Sequence, residues 1–181
     1  MSSLTLVAHA LTPALRGLVL GGAPDPDPAS VAAAGELKLA ADATYAGPEP
    51  AAIATAEALG LSPIVDPALR DRDYGDWTNR PLEDLLTADP AQVTAWLERP
   101  HTAPPGGETE NDVLARVADW LGDIASSDRD RIVAVVHPSV FRAIVLYVLD
   151  APAESLRHVD VRPLATVNLS HHTGSWSLAF H

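Results

Sequence analysis

The sequence predicts an α/β fold in three layers, with a mostly parallel central sheet and helices on both faces. Three observations predict it. Short apolar, β-branched runs alternate along the chain with helical patterns. One of them, residues 132–136, is apolar at every position, as suits a strand covered on both sides. The last two runs, residues 165–170 and 175–180, alternate in polarity and meet near Thr173 and Gly174, as an antiparallel edge pair does.

In order along the chain, residues 4–8 read as the first strand, which ends at His9. Thr12 is a helix N-cap with Pro13 at the first helical position. Residues 22–30 form a breaker-rich loop, and an Ala-rich helix follows to about residue 40. Residues 44–45 are a second strand, residues 50–59 a helix stopped by Gly60, and residues 64–65 a third strand. Residues 69–80 are polar, with Tyr74 and Trp77 among them, and read as an ordered loop. Short helices are expected at about 81–87 and 90–98, then a Pro/Gly loop at 99–107. Residues 109–124 carry Val113, Leu114, Val117, Trp120, Leu121 and Ile124 on one helical side. The strand at 132–136 ends at His137, and Ser139 is placed to cap a helix over 140–149.

The chain of 181 residues suits one domain over 1–181, and its 47% hydrophobic and 20% charged residues suit a packed core. No cysteine is present, which excludes disulfides, thiolate metal sites and a cysteine nucleophile. The formal net charge of −12 repels nucleic acid and anionic membranes, so neither is an expected partner. No apolar run is long enough to span a bilayer and no secretory signal is evident, so a cytoplasmic location is expected.

Two histidines occupy the same kind of place. His9 and His137 each end a strand and precede a helix. In open α/β sheets, ligands bind beyond the carboxyl ends of the strands, where helix N-termini offer free N–H groups.

Five blocks extend this pattern. Residues 4–12 run through an apolar strand to His9 and Thr12, and residues 45–56 contain Gly47-Pro48 and Thr55-Ala56. Residues 69–77 contain Leu69, Asp71, Gly75 and Trp77; residues 105–109 read Pro-Gly-Gly-Glu-Thr; and residues 135–143 contain His137 and Arg142-Ala143. In this order they resemble the motifs of the histidine phosphatase superfamily, the phosphoglycerate-mutase-like proteins. The resemblance implies that fold, with His9 as a phosphohistidine nucleophile, His137 as the second pocket histidine and Asp71 as the acid/base. It implies no metal and no cofactor, and a small-molecule ligand, phosphorylated or not. It also points to Thr12, Ser139, Tyr74 and Glu108 as substrate-binding candidates.

The sequence departs from the pattern where phosphate would be held. Ala8 and Ala51 stand where the family has its two pocket arginines. Ala10, Leu15 and Pro138 replace a glycine, an asparagine and a second glycine, and Asp71 replaces the usual Glu. Arg16, one position past Leu15, is the chief candidate to refill the pocket; Arg70, Arg72 and Arg142 are further candidates. Because charge stabilisation dominates phosphoryl transfer, the expectation is weak or no phosphomonoesterase activity. Two readings then stand: a non-catalytic binding protein, or altered acid/base chemistry by His9, His137 and Asp71. The alternative is an active phosphomonoester hydrolase or mutase working through phospho-His9.

Overall fold

The computed structural model describes residues 2–179, so Phe180, expected in the last strand, lies outside the described residues. Six strands form one sheet: β1 (Ser2–Ala8), β2 (Ala43–Ala46), β3 (Ile64–Val65), β4 (Arg131–Val136), β5 (Thr166–His172) and β6 (Ser175–Ala179). Their order is β3-β2-β4-β1-β5-β6. The first four are parallel, and β5 and β6 add an antiparallel edge, as the terminal alternating runs predict.

Alternation along the central strands builds two cores. Leu4, Leu6 and Ala8 of β1 share one with Ile132, Ala134 and Val136 of β4. Helices α6 (Glu110–Ala125) and α7 (Pro138–Val148) cover that face through Val117, Trp120, Leu121, Phe141 and Ile144. Val7, Val133 and Val135 point the other way, against Ala52, Ala56 and Leu59 in and after helix α3 (Pro50–Ala58). Helix α1 (Pro13–Arg16) starts after its N-cap Thr12, and helix α2 (Pro28–Ala34) lies beside α3. Central strands apolar on both faces therefore follow from coverage on both faces.

A smaller cluster of Tyr74, Trp77, Leu85 and Val93 holds helices α4 (Leu82–Ala88) and α5 (Pro90–Glu98) to the loop that carries Asp71. Gly75 in that loop has φ 50° and lies against Pro105, Gly106 and Gly107; a side chain there would collide with the Pro105 carbonyl.

Two expectations change. The Ala-rich helix ends at Ala34 rather than near residue 40, because the chain turns at Gly35 and the Gly35, Glu36 and Leu37 amides close 3₁₀-type bonds. The last major helix starts at Pro138, so its N-cap is His137 and not Ser139. Proline needs no amide acceptor at the first helical position, which moves the start two residues earlier.

Ile144 is wholly buried between α7 and the sheet. Ile144→Ala is expected to lower unfolding stability by about 2–5 kcal/mol, measured by urea denaturation, with the denaturant slope unchanged.

Candidate active site

The site begins with strand pairing. Ala8 of β1 is in register with Val136 of β4, so the next residues, His9 and His137, emerge side by side at the carboxyl edge of the sheet. Their ring centroids are 5.1 Å apart. The His9 amide donates to the Val136 carbonyl at 3.0 Å, carrying the pairing one residue past the strand. The Ala10 amide then donates to Thr55 Oγ1 (2.8 Å), a buried hydroxyl of α3 that itself donates to the Ala51 carbonyl. The turn after His9 is thus fastened to β4 on one side and α3 on the other.

His9 is 2% exposed. Its Nδ1 lies 2.7 Å from the Ala10 carbonyl. A carbonyl only accepts, so Nδ1 carries the proton and Nε2 keeps its lone pair. Burial, and then the charge of His137, lower the His9 pKa to about 4. The imidazole is therefore neutral near pH 7, with Nε2 able to attack or to accept a proton.

His137 faces Asp71. Its Nδ1 is 2.8 Å from Asp71 Oδ1 and 3.1 Å from the Ser139 amide nitrogen. The amide would need a lone pair on Nδ1, the carboxylate a proton. The shorter, charge-assisted contact decides for Nδ1–H toward Asp71. The same Oδ1 accepts from the Ser139 hydroxyl (2.5 Å) and the Arg72 amide (2.6 Å). Burial alone would raise the Asp71 pKa, but His137, Ser139 and the Arg72 amide outweigh it and hold the carboxyl below the usual range.

The loop carrying Asp71 is braced by ions. Glu108 accepts from Arg70 (2.5 Å) and Arg116 (3.0 Å), and Arg116 also donates to the carbonyls of Ala68 and Asp71. Arg72 is 4% exposed. It pairs with Glu110, donates to the Glu108 carbonyl and lies over the Trp96 ring at 5.2 Å.

These contacts reassign several candidates. His9, His137 and Thr12 line one narrow cavity of about 20 Å³, together with Glu49, Ala51 and Leu15. Asp71 sits immediately behind His137. Ser139 and Tyr74 instead line a separate cleft of about 390 Å³, with Arg72, Trp96 and Arg142. Glu108 does not line the His9 cavity; its two arginine partners make it a brace. Arg16 does not refill the pocket. Asp27, the N-cap of α2, holds its guanidinium at 2.9 Å on the outer surface, where its side chain is 63% exposed. Arg70 and Arg72 are taken up by Glu108 and Glu110 rather than by neighbouring aspartates, and Arg142 donates to the Val159 carbonyl. No arginine lines the His9 cavity among the described residues.

One site residue is not signalled by the sequence. Glu49 places Oε1 2.6 Å from the Asp71 amide nitrogen, which donates to it. Its Oε2 is buried with no hydrogen-bond partner. Burial raises its pKa. Its place just before α3, two residues from Ala51, is the only hint the sequence carries.

A mostly parallel α/β sheet whose two strand-end histidines share a cavity, backed by a carboxylate, fits the phosphoglycerate-mutase-like class. The chain belongs to the histidine phosphatase superfamily (branch 1), whose family profile matches residues 29–181. It is 32% identical over 117 residues to a bifunctional protein of Mycobacterium tuberculosis, a match covering 63% of this chain and 32% of that protein. It is 33% identical over 93 residues to the 2,3-bisphosphoglycerate-dependent phosphoglycerate mutase of Azorhizobium caulinodans, covering 48% of this chain and 44% of the mutase. The chain thus spans about a third to under half the length of these curated relatives. Among solved structures, a mycobacterial glucosyl-3-phosphoglycerate phosphatase in complex with VO3 superposes with TM-score 0.85 at 24% identity, covering 99% of this chain and 98% of that one. The α-ribazole phosphatase of Shigella flexneri superposes with TM-score 0.86 at 21% identity, covering 98% and 94%. No helix among the described residues is long and apolar enough to cross a membrane.

The His9 environment has a measurable consequence. Its imidazole resonance is expected to titrate with a midpoint near 4 in the folded protein, against about 6.5 in the unfolded chain. Between these values the unfolded chain binds the extra proton and the folded one does not, so stability falls as pH is lowered through that window. The lowered Asp71 pKa acts in the same sense, its contribution being lost as pH falls through the folded value. His9→Phe is expected to reduce the slope of stability against pH between about 4 and 6.5, measured by urea denaturation at several pH values.

Proposed function

We propose that this superfamily member has little or no phosphomonoesterase activity, and that its two-histidine cavity binds a non-phosphorylated small molecule and presents it to an acid/base pair. The observation that carries this reading is the absence, among the described residues, of any arginine from the cavity wall. Ala8 and Ala51, at the family's arginine positions, are 0% and 2% exposed, and Arg16, Arg70, Arg72 and Arg142 all bond elsewhere. Each preorganised donor to a transition-state oxyanion is worth about 3 kcal/mol, or roughly 10²-fold in rate, so two missing guanidinium groups cost about 10⁴-fold.

What remains suits proton transfer. His9 Nε2 is a neutral base, and His137, oriented by Asp71, is a partner acid across the same small space. Two such groups facing one ligand are the requirement for isomerisation or elimination, whereas phosphoryl transfer also needs its charge neutralised.

A second reading has one observation in its favour. The Nδ1–H of His9 bound to a carbonyl, with Nε2 free, is the tautomer that an attack on phosphorus requires.

Hydrolysis of p-nitrophenyl phosphate between about pH 5 and 8 separates the two. The expected result is wild-type turnover no greater than that of His9→Ala, with no rise in Tm on adding vanadate. Turnover that vanishes in His9→Ala and is blocked by vanadate would overturn the proposal in favour of a phosphohistidine mechanism.

A further inference from the structure

The cleft of about 390 Å³ shares no wall residue with the His9 cavity. Its wall comes from the loop after Asp71, the end of α5, the start of α6, the first turn of α7 and the 3₁₀ segment Ala153–His158. It meets the histidine site only through Ser139, which lines the cleft and donates its hydroxyl to Asp71. Its volume is that of a small-molecule site.

Two donors in this wall are uncommitted and open. Arg142 Nε donates to the Val159 carbonyl at 2.7 Å, which anchors the base of the guanidinium. Its two η nitrogens have no partner among the described residues, and neither has the Tyr74 hydroxyl. Burial raises the Tyr74 pKa, so the phenol keeps its proton and donates. Among the described residues, the polar side-chain atoms that are both unpartnered and closed to solvent are Glu49 Oε2 and Trp96 Nε1. The Arg142 η nitrogens and the Tyr74 hydroxyl are therefore reachable from outside, and the cleft is the space that both residues line.

The charges set the kind of ligand. The inner wall holds two guanidinium groups, Arg72 and Arg142, and one carboxylate, Glu110. Arg72 is taken up by Glu110 and by the carbonyls of Glu108 and Thr102. The surplus positive charge thus rests on Arg142, and a planar carboxylate matches its fork. The rim carries the exposed Glu98, Glu154 and Asp160 against the exposed Arg157. That excess of acid repels a dianion more than a monoanion. Trp96, Pro100, Leu156 and Val159 supply an apolar wall for the rest of the ligand.

We propose that this cleft is a second ligand site, for a small monocarboxylate with an apolar body: the carboxylate on the Arg142 η nitrogens and the Tyr74 hydroxyl, the body against Trp96 and Leu156. The site stands apart from the His9 cavity, so it does not depend on which ligand that cavity takes. Arg142 is the specificity-determining residue, because it supplies the uncommitted positive charge.

Four probes test this: n-hexanoate, n-hexanol, n-hexylammonium and inorganic phosphate. Calorimetric titration follows binding, and the NMR resonances of the Trp96 indole, the Val159 amide and the His9 imidazole locate it. The expected result is saturable binding of hexanoate that shifts the Trp96 and Val159 resonances. It should be about tenfold or more tighter than hexanol, with no binding of hexylammonium or phosphate in the cleft. Arg142→Gln should weaken hexanoate by about tenfold or more, and Tyr74→Phe by about threefold or more. Tyr74→Phe keeps the ring and its packing, so it decides the matter should the Arg142 variant fail to fold. The proposal is overturned by no hexanoate binding, by hexanol, hexylammonium or phosphate binding as tightly in the cleft, or by unchanged affinity in either folded variant. Hexanoate that shifts the His9 imidazole and leaves the Trp96 indole unmoved overturns it too.

Discussion

The parallel pairing of β1 with β4 is the constraint on which the site depends. Its register sets Ala8 opposite Val136 and so delivers His9 and His137 to the same edge. A slip of one residue would turn Leu4, Leu6 and Ala8 out of the core they share with Ile132, Ala134 and Val136. Burial therefore enforces the register, and the register sets the distance between the histidines. The cores on the two faces, built from alternate residues of these strands, hold the chemistry in place without touching it.

Around this pair the structure separates two tasks through hydrogen bonding. His9 is held by main-chain groups and α3, deep enough to remain neutral. His137 is held by Asp71, whose Oδ1 also gathers Ser139 and the Arg72 amide. The Asp71 loop is in turn braced by Glu108 with Arg70 and Arg116, and by Arg72 with Glu110 beneath Trp96. Most arginines near the site thus position the loop, whereas a phosphate pocket would need some of them free. The Arg72–Glu110 and Arg116–Glu108 pairs are largely buried and costly to break singly, which makes Arg72 and Arg116 poor candidates to swing into the cavity.

The family fold does not depend on the charged positions of the family pattern, for a physical reason. The fold needs apolar alternation, glycines at close approaches such as Gly75, and helix caps, and all of these are kept. The chemistry needs charge at two positions that the fold does not use, and alanine fills both of them while remaining buried. Loss of charge at Ala8 and Ala51 leaves packing intact, so the chain superposes closely on phosphatases at 21–24% identity.

The sequence by itself determined the layered α/β class and the strand-end positions of His9 and His137, and its resemblance to the family implied the link of Asp71 to them. Periodicity, strand ends and block order are local or linear properties, and they survive without coordinates. It also exposed the two missing arginines, since an alanine carries no charge in any fold. Only the tertiary structure decided which side chains fill the remaining space. Arg16 looked available because it follows Leu15, but Asp27, eleven residues on, pulls it to the surface. Ser139 looked like a helix cap, but Pro138 starts the helix earlier and frees the hydroxyl for Asp71, sixty-eight residues away. Glu49 was not singled out in the sequence, and only the fold sets it against Gly47 and the Asp71 amide. Each of these outcomes rests on a contact between residues distant in sequence, and such contacts exist only once the chain has packed.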